Sequence, residues 1–201
     1  MSNGAPALWL ASRSPRRREL LAQIGVSFAL LEVDVEEQPG ESESPADYNL
    51  RVAQDKAVAG AGQRPSAMPV LGADTEVALD GRIYGKPADA AEAREMLQSL
   101  AGRTHRVYSS VAVVNEAGEA RSCQQVSEVT FAELDLRQIN AYLTTGEYAG
   151  RAGGYAIQGL GSSFVAHIEG SYSGVMGLPL FETVPLLQWA GALKPDSPLR
   201  L

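Results

Sequence analysis

Apolar and polar residues recur along this chain in two periods, one near 2 and one near 3.6, and each change of period marks the edge of an element. Residues 7–11 form a short apolar run, broken by Ser12-Arg13-Ser14-Pro15, after which Leu20, Leu21 and Ile24 follow at helical spacing up to Gly25. Strand, loop and helix are predicted there, with Ser14 as N-cap, Pro15 as first helical residue and Gly25 as the stop. Residues 28–33 read as a second strand and the polar, acidic stretch 34–44 as a loop. Ser44, Pro45 and Asp47 open another helix, with Leu50, Ala53 and Ala57 on one face and Gly60 and Gly62 ending it. Residues 69–79 return to strand and close on Asp80-Gly81, a strong hairpin signal.

Beyond Lys86-Pro87, Asp89 and Glu92 stand at capping-box spacing ahead of a stripe of Ala93, Met96, Leu97 and Leu100, which Gly102 stops. Val107, Ser109, Val111 and Val113 alternate with Tyr108, Ser110, Ala112 and Val114, and a turn at 115–118 leads into a second alternating run up to Phe131, predicting an antiparallel pair. Asp135 caps a helix carrying Leu136, Ile139 and Leu143. A glycine-rich stretch, 146–161, precedes a strand over 164–168. The last helix, 180–190, must start late or kink because of Pro185, and residues from Lys194 onward read as a flexible tail. The mixture of crossovers and hairpins predicts an α/β fold with an elongated mixed β-sheet flanked by helices, in a single domain spanning 1–201.

Composition narrows the chemistry. Asp plus Glu number 24 against 17 Lys plus Arg, a formal charge of −7, which opposes a protein that holds a nucleic-acid polymer by bulk attraction to phosphate. One cysteine, Cys123, and two histidines, His105 and His167, exclude an internal disulfide and a Cys- or His-rich zinc site. No run approaches the ~20 apolar residues of a membrane span, and a reducing cytoplasm is the expected setting.

Four places carry candidate chemistry. Arg16, Arg17 and Arg18 put three cations into a helix's first turn, where the backbone dipole is already positive; that placement favours a bound phosphate, with Arg16 and Arg17 as the better ligands. In Leu71-Gly72-Ala73-Asp74-Thr75-Glu76, two small residues bring the Asp74 carboxylate to an open strand end, as a ligand for a hard cation or as general base to a water. Alone, Asp74 reads more readily as a turn residue and Glu37 as a surface charge. Lys56 interrupts a helix face and Lys86 follows the hairpin in Gly85-Lys86-Pro87; both can reach a cleft. In the 153–159 block, Gln158 offers donor and acceptor to the edge of a base. No Walker loop, GxGxxG or HExxH occurs, Tyr172 occupies the nucleophile position of the elbow-like Gly170-Ser171-Tyr172-Ser173-Gly174, and Cys123 reads as a packed thiol.

Leu10-Ala11-Ser12 with Ser14-Pro15-Arg16-Arg17, then Gly72-Ala73-Asp74-Thr75, Gly85-Lys86-Pro87, Thr104-His105-Arg106-Val107, Ala152–Gly159 and Gly177-Leu178-Pro179 together resemble the Maf family of nucleotide pyrophosphatases over nearly the whole chain. The resemblance implies two lobes around a central cleft, as in inosine triphosphatase-like folds. It implies cleavage of a nucleoside triphosphate to monophosphate and pyrophosphate with Mg²⁺ or Mn²⁺, in the cytoplasm, with a homodimer as a frequent assembly. Asp74 looks like the proton acceptor, Ser12, Arg16, Arg17, Lys56 and Lys86 like triphosphate ligands, and Glu37 with Asp74 like metal ligands. Arg16, Thr75 and Gln158 match the branch acting on dTTP and UTP, with modified pyrimidine nucleotides as further candidates. Arg151, Gly154 and Ser109 depart from the family's usual Lys, Ala and Thr. Competing readings are the same chemistry on 7-methyl-GTP and a non-catalytic nucleotide-binding regulator of cell division.

Overall fold

The central strand of the fold owes its position to small residues. In the computed structural model, which describes residues 5–194, the elements in chain order are β1 (Leu8–Ala11), α1 (Pro15–Gln23), β2 (Phe28–Leu30), α2 (Pro45–Gln63), β3 (Val70–Leu79), β4 (Arg82–Tyr84), α3 (Ala90–Leu100), β5 (Thr104–Val114), β6 (Ala120–Phe131), α4 (Leu136–Leu143), β7 (Val165–Glu169), α5 (Tyr172–Met176) and α6 (Leu180–Trp189). The tail expected beyond Lys194 lies outside the described residues. The strands form one seven-stranded sheet, ordered β2-β1-β3-β5-β6-β7, with β4 on β3. β1 is parallel to β2 and β3, and the other pairs are antiparallel, which gives the predicted mixed sheet.

Both β1 and β4 pair with β3 on the edge opposite β5. β1 takes the stretch up to Gly72 and β4 takes it from Val77, so Ala73 to Glu76 have an open edge in the middle of the sheet. On one face of β3, α2 lies so close that a Cβ on Gly72 would come 2.4 Å from the Ala57 amide nitrogen and 2.5 Å from the Ala53 carbonyl oxygen. Gly60 serves the same contact: a Cβ there would stand 2.8 Å from Val70 Cγ1. It therefore does not end the helix, which continues to Gln63; a helical glycine costs only about 1 kcal/mol, and close packing offsets it.

Alternate residues of a strand share a face, so Leu71, Ala73, Val77 and Leu79 of β3 all point to the face away from α2. They serve two cores. Leu71 and Ala73, with Val111 and Val113 of β5, pack against α1 and α6; Val77 and Leu79, with Val107, pack against α3 and α4. Between the cores stand Thr75 and Ser109, opposite each other in register. Their hydroxyls donate to Gly177 O at 3.3 Å and Gly174 O at 2.7 Å, and so hold the turn formed by α5 against the seam between the lobes. This short helix escaped prediction because five residues are too few to show a period.

Several expected boundaries shift for local reasons. β2 stops at Leu30 because β1, its one partner, ends at Ala11. Ser14 sits at the N-cap of α1 with extended backbone, yet its hydroxyl caps nothing. Asp89 caps α3 by accepting from the Ala91 and Glu92 amides, while Glu92 reaches back to the Ala88 amide at 2.7 Å, one residue beyond the N-cap amide that a reciprocal box would use. Asp135 and Gln138 do complete one on α4, whose Leu136 is exposed while Ile139, Tyr142 and Leu143 carry the buried face. α6 starts at Leu180 and contains Pro185. The hairpin at Asp80 and Gly81, with φ of 52° and 79°, is as predicted. Cys123 packs beside the first core, and burial pushes its thiol up to about 11, the inert state expected. Among the described residues no helix is long and apolar enough to cross a membrane.

Gly72→Ala should separate α2 from β3. The expected loss is about 1–3 kcal/mol, read as a drop in Tm of about 2–10 °C; an unchanged Tm would contradict the contact.

Candidate active site

The open edge of β3 is where the predicted residues meet. A cleft of about 660 Å³ is lined there by Ser12, Arg16 and Arg17 from the β1–α1 loop and helix, Glu37, Lys56, Asp74, Thr75, Glu76, Lys86, and Arg151 and Gln158 from the glycine-rich stretch. All eight residues expected to bind, catalyse or select substrate, and Glu37 with them, therefore share one cleft. Its volume suits a small ligand.

The charge arrangement is built from α2. Asn49, Val52, Ala53, Lys56, Ala57 and Gly60 form its buried face, so two polar side chains are carried in with the small apolar ones. The close approach at Gly72 sets them beside Asp74, whose side chain lies on that face of β3. Lys56 Nζ stands 2.8 Å from Asp74 Oδ1 and 2.7 Å from Glu37 Oε1, clasped between two carboxylates. Asn49 Nδ2 donates to Asp74 Oδ2 at 3.0 Å. Asp74 is only 6% exposed, so both its oxygens are fixed in a dry environment. Lys86 Nζ approaches Glu37 Oε2 at 3.9 Å on a mostly exposed side chain that can swing toward a ligand. Burial raises the Glu37 carboxyl, but the hydrogen bond and charge of Lys56, aided by Lys86 and Arg17, outweigh it and hold the group below its usual range.

Two arginines of α1 have distinct settings. Arg17 is buried: Nε donates to Gly177 O at 2.9 Å, Nη1 to Ser12 Oγ at 3.0 Å and Nη2 to Thr75 Oγ1 at 3.3 Å. A guanidinium has five N–H donors, so two remain for a ligand after this bracing. Arg16 makes one contact, Nε to Met176 O at 3.1 Å, and keeps its fork free. Ser12 Oγ accepts from Arg17 and from the Ser14 amide, leaving its own proton to donate. Since Ser14 leaves the first turn of α1 uncapped, backbone N–H groups add to this positive rim. Arg18 is not among the lining residues and bonds back to Arg13 O.

On the other lobe, Arg151 reaches the cleft, and its Nε is buried without a partner. Gln158 is exposed at the cleft mouth. The loop bearing it is pinned by Tyr155, whose hydroxyl meets His105 Nε2 at 2.9 Å within an aromatic cluster of Phe131, Phe164 and Tyr142. Burial pulls His105 down to about 4, so it is a neutral structural residue.

Glu76 was given no role by its sequence, although its place two residues beyond Asp74 puts it on the same strand face. Its Oε2 is buried without a hydrogen-bond partner. Burial, then the charge of Asp74, push the carboxyl up to about 8 against the opposing pull of Lys86 and Lys56. An unpaired carboxylate oxygen beside Asp74 and Glu37 is an all-oxygen donor set of the kind hard divalent cations take. Among the described residues no three His, Cys, Asp or Glu side chains gather tightly enough to hold a metal by themselves. A cation here fits only with phosphate oxygens and water completing its shell, which is how Mg²⁺ usually sits beside phosphates.

Comparison with known proteins identifies the family of the chain. Residues 7–190 match the model of a family described as Maf-like protein. The chain is 53% identical over 185 residues to a dTTP/UTP pyrophosphatase of Methylococcus capsulatus, covering 92% of this chain and 91% of that one. It is 51% identical over 182 residues to a nucleoside triphosphate pyrophosphatase of Xylella fastidiosa, covering 90% and 96%. Among solved structures, the Staphylococcus aureus Ham1 protein matches 90% of this chain and 96% of its own at a TM-score of 0.51 and 16% identity, a likeness of fold.

A carboxyl that titrates at about 8 when folded, against 4.5 otherwise, holds a proton that the unfolded chain releases, so its contribution to stability falls as pH rises through that window. Without added divalent cation, Glu76→Gln should lose less Tm than the wild type across that window. Parallel curves would contradict the buried, unpaired setting of Glu76.

Proposed function

The chain belongs to the Maf-like family, and from that premise we propose that it hydrolyses dTTP and UTP between the α and β phosphates, giving the nucleoside monophosphate and pyrophosphate. The observation that carries this reading is the Lys56 ammonium clasped between Glu37 and Asp74, within the same cleft as the arginine-bearing start of α1. A triphosphate is the ligand that needs such a rim and a positioned carboxylate together.

In this reading, Arg16, the spare donors of Arg17, the Ser12 hydroxyl and the first-turn amides of α1 bind phosphate oxygens. Lys86 leaves its loose contact with Glu37 and joins them, and Arg151 offers its unpaired donor from the opposite lobe. Asp74, gripped by Lys56 and Asn49 on one lone pair of each oxygen, keeps further lone pairs to take the proton of the attacking water. That proton leaves with Asp74 as the water oxygen bonds to the α phosphorus and pyrophosphate departs. Glu37, Asp74 and Glu76 would hold Mg²⁺ or Mn²⁺ through carboxylate oxygens, together with phosphate and water oxygens. When bound, the cation supplies Lewis-acid neutralisation of the phosphoryl oxygens. Gln158, with one amide acceptor and two donors, complements the edge of uracil or thymine, and Arg16 and Thr75 line the same cleft. A cytoplasmic setting, where free nucleoside triphosphates occur, belongs to the same proposal.

The products of dTTP with Mg²⁺ test the bond cleaved: monophosphate and pyrophosphate are expected, whereas orthophosphate and diphosphate would refute it. Among substrates, faster turnover of 7-methyl-GTP than of dTTP and UTP would overturn the assigned base.

Asp74→Asn should lower kcat by about 10²–10⁴-fold while nucleotide affinity changes little, and Arg16→Ala should weaken both. Wild-type turnover in the Asp74 variant would remove that residue from the mechanism.

A further inference from the structure

Behind Asp74 runs a chain of polar groups, two of them fully buried, that do not line the cleft. Gln124 Nε2, half-buried on β6, donates to the Ala46 backbone carbonyl at 2.7 Å and to Ser110 Oγ at 3.0 Å, with a longer contact of 3.4 Å to Asn49 Oδ1. Ser110, on β5 and 0% exposed, donates to Asn49 Oδ1 at 2.6 Å. Asn49, also 0% exposed, donates through Nδ2 to Asp74 Oδ2. Register explains the juxtaposition, since Ser110 faces Asp74 across β3–β5 and Gln124 faces Ser110 across β5–β6.

The direction of every donor in this chain is determined from its far end. A backbone carbonyl can only accept, so Gln124 must present its NH₂ group to Ala46. The same NH₂ group then occupies the Ser110 oxygen as a donor, which sends the single Ser110 proton to Asn49. Asn49 must therefore present its oxygen to Ser110 and its NH₂ to Asp74. A flipped Asn49 would set its oxygen against the Asp74 oxygen and its NH₂ against the Ser110 proton, two repulsive contacts in a site that water cannot relieve.

We infer that Asn49, oriented by Ser110 and Gln124, is a positioning residue that holds Asp74 as a hydrogen-bond acceptor at Oδ2 and fixes the plane of its carboxylate. Lys56 does the same at Oδ1 from the same helix face, so two points define the plane and the remaining lone pairs face the cleft. The inference rests on Asp74 being the base of the proposed reaction. It adds that the aim of this base is set by an amide whose own orientation is dictated from a helix's first turn, through two strands.

The test is a cycle of Asn49→Ala, Ser110→Ala and the double variant, with Asn49→Asp and Gln124→Glu, each measured for kcat, KM on dTTP with Mg²⁺, and Tm. Asn49→Ala is expected to lower kcat about 10-fold with KM within about 2-fold. Ser110→Ala should cost less, and adding it to Asn49→Ala should cost nothing more, because Ser110 acts through Asn49. Asn49→Asp keeps the shape but loses the donor, so it should fall below Asn49→Ala, an order that a packing role would reverse. Gln124→Glu puts a carboxylate against Ala46 O and should lower kcat at constant KM. Additive losses, wild-type kcat in Ser110→Ala and Asn49→Ala, or a KM that rises as far as kcat falls would overturn the inference. Should the Asn49 variants show no unfolding transition, Ser110→Ala and Gln124→Glu decide it by the same kcat criterion. An inactive Asp74→Asn beside fully active Asn49→Ala defeats this inference alone; an active Asp74→Asn defeats the reading of Asp74 itself.

Discussion

Everything functional in this molecule depends on an interruption in one strand's edge. β1 and β4 both hydrogen-bond to the same side of β3, and neither covers Ala73 to Glu76. Sheet edges usually face solvent at the rim, but this one opens in the centre of a seven-stranded sheet. The gap gives side chains on both faces of β3 access to one cleft: Asp74 and Glu76 from the face that meets α2, Thr75 from the face between the two cores. A polar cluster of this size is tolerated because each part is braced by rigid elements, α2 through Gly72 and Gly60, and α5 through Thr75, Ser109 and Arg17.

The bracing and binding roles overlap in a way that simple charge counting hides. Arg17, a phosphate ligand in the proposed reaction, is equally a strut, since three of its donors tie Ser12, Thr75 and Gly177 together. Gly177, at φ +134°, allows the turn whose carbonyl Arg17 and Thr75 share, so the same three residues join the start of α1, the central strand and the turn after α5. Arg16 and Lys86, in contrast, are lightly held and free to respond to a ligand. Fixed charges set beside lightly held ones suit the proposed reaction, in which a polyanion binds and two smaller anions leave.

Local features were legible in the sequence wherever a single residue does a local job. Asp80-Gly81, Asp89 and Asp135 act within a few residues of themselves, and the turn and caps they announce are present. The blocks that meet in the cleft were legible as well, because Arg16 in a helix's first turn and Lys86 just past a strand are cations that structure alone does not call for; Asp74, expected at an open strand end, stands instead in mid-strand, where the edge that β1 and β4 leave uncovered opens it to the cleft. What escaped were properties that exist only between distant segments. Gly60 looks like a helix stop until Val70 is seen against it. Glu76 looks like an ordinary strand residue until β1 and β4 fail to cover its edge. Asn49 gains meaning only from Asp74, Ser110 and Gln124, each from another element. The periodicity of α2 contained a hint, since Asn49 and Lys56 fall on its apolar face, but a polar residue on such a face does not name its partner.

The account stands or falls on where a nucleotide's α phosphate lies relative to the gap in β3. A crystal structure with a dTTP analogue whose α–β bridging oxygen is replaced, grown with Mg²⁺, measures it directly. The α phosphorus is expected within one water molecule of Asp74, with the triphosphate running along Arg16, Ser12 and Lys86 and the base toward Gln158. A nucleotide bound with its phosphates away from Asp74, or with its β or γ phosphorus in that position, would contradict the account.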